Sequence, residues 1–184
     1  TSIIERLIMT STGTATDFGT LSVGRERLAG VGNATRAVFG GGYASGADNT
    51  DVMDYTDYAT GGNATDFGNL TVGRRAPAGN LNNSTRGVFF SGTYFENGDN
   101  AQGMIDYITI GSTGNATDFG DLTAERHRIT AVSSSIRAVT GNSHQSTVLD
   151  YVTIASTGNA TDWGDLSMSG QYKGSASNSH GGIA

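Results

Sequence analysis

The chain has 184 residues, a length that one compact domain ordinarily fills. With 28 Gly, 1 Pro, no Cys and no Gly-X-Y period, it is neither a disulfide scaffold nor collagen. Lys+Arg 11 against Asp+Glu 17 gives a formal charge of −6 with no basic stripe for nucleic acid, and no run approaches the ~18 apolar residues of a membrane-spanning helix. Thr1 stands where a Met would start a chain, and no charged-then-apolar leader follows, so a processed or trimmed start is expected.

Residues 1–24 carry an alternating run, IIERLIM (3–9), followed by TATDFG (14–19) and Leu21. Residues 25–73 carry a small pair Ala29-Gly30, then AVFGGGY (37–43), a variable loop 44–51, VMDYTDY (52–58), NATDFG (63–68) and Leu70. Residues 74–125 repeat the order with Ala78-Gly79, GVFFSGTY (87–94), loop 95–103, MIDYITI (104–110), NATDFG (115–120) and Leu122. Residues 126–169 follow with Thr130-Ala131, AVTGN (138–142), loop 143–147, VLDYVTI (148–154), NATDWG (159–164) and Leu166. Residues 170–184 hold only the first two segments, Gly174-Ser175 and GGIA (181–184).

Short runs rich in Val, Ile, Tyr, Phe and Thr between Gly or Asn read as strands, and no 3.6-residue periodicity competes with them. Asp17, Asp66, Asp118 and Asp162 are spaced 49, 52 and 44 residues apart. Such spacings fit the blades of a β-propeller, about 40–50 residues each. Each unit has four strands, here called a to d. The expected fold is therefore all-β, with blades at about 25–73, 74–125 and 126–169. A fourth blade would be shared between residues 170–184 and 1–24, so that the two chain ends remove the open sheet edges. Strand a should lie nearest the axis, where only small side chains fit. Both faces of strand c should be covered, with Met104, Ile108 and Ile110 on one side and Ile105 and Tyr107 on the other.

The order of Gly40-Gly41-Gly42, Tyr55, Phe67, Leu70 and Arg74 resembles the kelch repeat, which has a double Gly after strand b, a Tyr in strand c, a Trp near strand d and an Arg beyond. Trp163 matches that Trp, while Phe18, Phe67 and Phe119 take its place elsewhere; the later units lack the double Gly at its usual place. The phrase IDYITI-x-STGNATDFGDLT (105–123) is similar to a repeat of bacteriophage virion structural proteins, notably those of phages infecting aquatic cyanobacteria. These resemblances imply a four-bladed kelch-like β-propeller. They also imply a virion component, in a tail fibre or as capsid decoration, present in many copies or as a homo-oligomer among other virion proteins. A kelch-type protein-interaction adaptor and a carbohydrate-active enzyme domain are the alternatives.

Repeated acids are the first candidates for chemistry. Asp17, Asp66, Asp118 and Asp162 could hold Ca²⁺, but one Asp per unit is too few oxygens without help from loops. The plainer expectation is an Asx-type turn within NATD, or pairing with Arg36, Arg86 and Arg137. No other cofactor is expected. Glu5, Asp54, Asp106 and Asp150 lie inside strand c, where Asp is unfavourable without a partner. Arg25, Arg74 and Arg126 are the expected partners, forming ion pairs between blades. A glycosidase-like carboxylate pair is the competing reading, and repetition in every blade opposes it, because an active site needs asymmetry. His127, His144 and His180 show no metal-ligand spacing.

The sequons at Asn33, Asn63, Asn83, Asn115 and Asn159 are expected to mark turns, with Asn at positive φ, rather than glycans. Binding is expected in the variable b–c loops, above all at Tyr94, Phe95, Glu96, Asn97 and Asp99, which could recognise host surface glycans or form a subunit contact.

Overall fold

The computed structural model describes residues 2–8, 10–46, 48–95, 99–143 and 146–170. Within them the chain forms strands and no helix. An N-terminal hairpin pairs β1 (Ile3–Arg6) with β2 (Thr16–Thr20). Next come β3 (Arg25–Glu26), β4 (Ala29–Gly32), β5 (Arg36–Gly40), β6 (Tyr43–Ala44), β7 (Val52–Asp57) and β8 (Thr65–Asn69). The second unit comprises β9 (Ala78–Asn82), β10 (Arg86–Phe90), β11 (Thr93–Phe95), β12 (Asp99–Thr109) and β13 (Thr117–Arg126). The third comprises β14 (Thr130–Ser133), β15 (Arg137–Ser143), β16 (Ser146–Thr153) and β17 (Thr161–Asp165).

Three antiparallel meanders result, in the orders β4-β5-β7-β8, β9-β10-β12-β13 and β14-β15-β16-β17. Their registers coincide: Phe39 faces Asp54, Phe89 faces Asp106 and Thr140 faces Asp150. The ladder shifts between strands c and d at the same place in each, beside Met53/Asp54, Ile105/Asp106 and Leu149/Asp150. Strand b of the first unit breaks at Gly41-Gly42, both at positive φ, and resumes as β6, which pairs with β3.

Strands β4, β9 and β14 run side by side. Close approach there demands small residues: a Cβ on Gly79 would stand 2.6 Å from the Gly30 carbonyl oxygen and 2.8 Å from the Ala29 Cβ. Two apolar clusters fill the spaces between sheets. Val38, Met53, Phe67, Phe89 and Ile108 belong to the one between the first and second sheets. Leu81, Phe90, Ile105, Phe119 and Val152 belong to the one between the second and third. Strand β12 serves both, since Ile105 and Tyr107 pack into one cluster and Ile108, with Ile110 just beyond the strand, into the other. A strand covered on both faces explains why MIDYITI is apolar almost throughout.

One sequence expectation changes here. Strand β1 ends at Arg6, not at residue 9, and Ile3, Leu7 and Ile8 are exposed. Residues 170–184, expected to give strands a and b of a fourth sheet, lie outside the described residues except for Gly170.

Candidate functional site

The repeated ionisable residues converge on one device, made three times. Arg25 on β3, Arg74 between β8 and β9, and Arg126 at the end of β13 each precede the first strand of a sheet, and each reaches the Asp in that sheet's strand c. Arg25 Nη1 donates to Asp54 at 2.7 Å, Arg74 Nη1 donates to Asp106 at 2.7 Å, and Arg126 Nη2 donates to Asp150. The side chains of all six are buried. A hydroxyl three residues before each Arg completes the set: Ser22, Thr71 and Thr123 donate from Oγ to the same carboxylates at 2.5, 2.5 and 2.7 Å. Their backbone N–H groups donate to the second oxygen of each Asp. Arg25 and Arg74 also donate to the carbonyls of Phe39 and Phe89 in strand b, and Arg126 donates to Val148. Burial pushes the Arg74 pKa below its ordinary value, and the neighbouring Asp106 charge opposes that shift.

These carboxylates are saturated by structural donors, so the arrangement ties each connection to its sheet. The hydroxyl partner was legible as the recurring three-residue offset Ser22–Arg25, Thr71–Arg74 and Thr123–Arg126, a signal the strand-by-strand reading did not use. Glu5, the fourth member, is exposed on β1.

The Asp of each ATD motif does something local. Asp17, Asp66, Asp118 and Asp162 accept the N–H of the Gly two residues on, at 2.8–3.2 Å, and stiffen the bulge in strand d. The arginines once expected to pair with them go elsewhere. Arg36 binds Asp57 at 3.1 Å and lies over Tyr55, while Arg86 lies over Tyr107 and Arg137 over Tyr151 and Trp163. Each Tyr in turn meets the strand-d aromatic edge-on: Tyr55–Phe67, Tyr107–Phe119 and Tyr151–Trp163. Among the described residues no group of three or more His, Asp or Glu comes together around a metal-sized space.

Asn63, Asn115 and Asn159 correct the expectation of Asn at positive φ. The preceding Gly62, Gly114 and Gly158 take the positive φ, and the Asn side chains reach across to the neighbouring sheet. Asn63 Oδ1 accepts Thr20 N–H at 3.1 Å, Asn115 accepts Asn69 N–H at 3.0 Å and Asn159 accepts Asp121 N–H at 3.1 Å. The same turns donate backbone bonds: Gly62 to Phe18, Gly114 to Phe67 and Gly158 to Phe119, with Ala64, Ala116 and Ala160 bonding to Thr20, Asn69 and Asp121. Every described strand d except β17 is thus stapled by the c–d turn of the next sheet. Asn33 and Asn83 do cap their own a–b turns, each accepting the N–H groups two and three residues on.

Of the loop residues proposed for binding, Tyr94 is half-buried in the middle of β11, and Phe95 and Asp99 sit on strands β11 and β12. Glu96 and Asn97 lie outside the described residues, as do His144 and His180. No protein-family model matches the chain, and no curated protein does either.

Proposed function

We propose that this chain is a non-enzymatic structural module: a kelch-like ring of four sheets, carried in many copies on a bacteriophage particle, that presents its variable b–c loops outward. One observation carries the scaffold reading. The junction between neighbouring sheets is made the same way three times, and among the described residues its two halves recur unjoined, one in β17 and one in the first hairpin. Strand β17 offers the accepting carbonyls of Trp163 and Asp165, and the turn Gly13-Thr14-Ala15 offers the matching donors. A Cβ on Gly19, Gly68 or Gly120 would strike the carbonyl group of the next sheet's turn at 2.2–2.6 Å, whereas one on Gly164 would meet nothing within 4 Å. Trp163 is 50% exposed where Phe67 and Phe119 are 2% exposed. Seating residues 13–15 on β17 covers that edge.

The virion role is supported by the likeness of residues 105–123 to phage structural repeats. A glycan contact at Tyr94 and its neighbours suits a multi-copy display, in which weak single sites add up. The assignment is tested by purifying virus particles from the source of the sequence and measuring whether the chain co-sediments with them at many copies per particle. Its absence from particles overturns the virion role and favours the kelch-type adaptor.

A further inference from the structure

We propose that the junction between the third sheet and the first hairpin is a binding site for a guanidinium group carried by another molecule. The inference rests on the closed ring proposed above and concerns what that fourth junction holds. Each of the three described junctions is locked by an Arg placed four residues after the Leu that follows strand d. Leu21, Leu70 and Leu122 lead to Arg25, Arg74 and Arg126, whereas Leu166 leads to Gly170. The backbone around the two kinds of residue is alike. Leu166 and Leu70 donate their N–H groups to the carbonyls of Thr147 and Asp51, each at 2.8 Å. Gly170 and Arg74 donate theirs to Ser143 and Thr50, near the b–c connection of the preceding sheet, each at 3.2 Å.

The acceptor changes in the same unit. Glu5 precedes Phe18 by the interval at which Asp54, Asp106 and Asp150 precede Phe67, Phe119 and Trp163. The hydroxyl is kept, since Ser167 holds the place of Ser22, Thr71 and Thr123. The unit without the Arg is thus also the unit with Glu, whose extra methylene carries the carboxylate toward space that an Arg stem fills in the others. Glu5 is exposed and has no ion-pair partner among the described residues.

The filled sockets define the shape of the missing group. Arg25 and Arg74 send Nη1 to the carboxylate and Nη2 to a strand-b carbonyl, a planar fork that a compact ammonium does not reproduce. With residues 13–15 seated on β17, Glu5 and Ser167 face each other as Asp106 and Thr71 do. The result is an acceptor-lined slot with an unneutralised carboxylate. A delivered guanidinium makes there the charge-assisted bonds that the other three carboxylates receive from their own chain.

The test is an NMR titration of the full chain with methylguanidinium chloride against NaCl at equal ionic strength, reading the amides of Ser167 and Gly170. Acrylamide quenching of Trp163 is read on the same sample. Saturable shifts with methylguanidinium are expected. Shifts with N-acetylarginine amide as well identify an arginine side chain of a partner protein, and shifts with methylguanidinium alone identify a small free guanidinium compound; each supports the site. Glu5→Gln should weaken binding at least about tenfold. Gly170→Arg should supply the group from within the chain, raise the thermal midpoint and abolish the shifts. Equal shifts with methylammonium, or undiminished binding by Glu5→Gln, overturn the proposal. A shielded Trp163 with no shift overturns this site alone, as when Lys173, outside the described residues, supplies the charge. A Trp163 open to acrylamide overturns the closed ring and this site with it.

Discussion

Strands β8 and β17 carry nearly the same residues, TDFGN and TDWGD, yet one lies inside the structure and the other at its edge. Both make the same bulge, with Asp66 and Asp162 accepting the N–H of Gly68 and Gly164. Both place an aromatic ring edge-on to the strand-c Tyr. They differ in what comes next. The turn at Gly114–Ala116 closes over β8 and buries Phe67, while among the described residues nothing comparable covers β17, and Trp163 is 50% exposed. The comparison separates what a unit makes by itself, the bulge and the ring stack, from what only a neighbour supplies.

The largest expected effect comes from the buried ion pairs. Asp106→Ala strands the Arg74 guanidinium in the interior and should destabilise the fold by about 3–5 kcal/mol. Glu5→Ala, at the exposed equivalent, should change stability by less than about 0.5 kcal/mol. Urea unfolding of both variants measures the contrast; similar losses would show that Glu5 has found an equivalent partner.

The bulge glycines come next. Gly164 has φ 131°, so Gly164→Ala introduces strain of about 1–3 kcal/mol wherever its neighbours lie. Gly68→Ala adds to the same strain a collision with the Gly114 carbonyl. A ring closed by the chain ends makes the two costs equal, and in wild type it shields Trp163, the single Trp of the chain, from acrylamide at every protein concentration. A smaller loss for Gly164→Ala together with a quenchable Trp163 means an open end; shielding that grows with concentration means a second copy covers the edge.

The smallest effect belongs to the side-chain staple. Asn115→Ala removes one hydrogen bond to Asn69 N–H and should cost about 1 kcal/mol. Thr14→Ala, at the aligned position of the first hairpin, should be near neutral, because a Thr hydroxyl stands where the staple needs an amide oxygen. Thermal unfolding of both resolves the difference.

Much of this architecture was legible in the chain. The spacing of the ATD motifs gave the units, the apolar runs gave the strands, and Asp inside strand c pointed to Arg25, Arg74 and Arg126 as partners. What the sequence hid were relations between units. NATD reads as a self-contained turn because Asn and Asp commonly bond their own backbone, and only Asp does so here. Arg36, Arg86 and Arg137 looked like carboxylate partners, yet an Arg beside a Tyr on the adjacent strand stacks on its ring, a cross-strand relation that linear spacing does not display.

The stapled junction also bears on how such a chain can lengthen over evolutionary time. One stretch, from the ATD motif through the following Arg, holds both the strand that accepts a neighbour and the cation that locks into it. A tandem duplication of that register arrives with its own socket and plug, and the flanking copies need no compensating substitution to receive it. Growth by whole units is therefore the low-barrier route for this sequence, and the glycine pair that meets at each junction, Gly68 against Gly114 for instance, sets the angular step that every added unit must repeat.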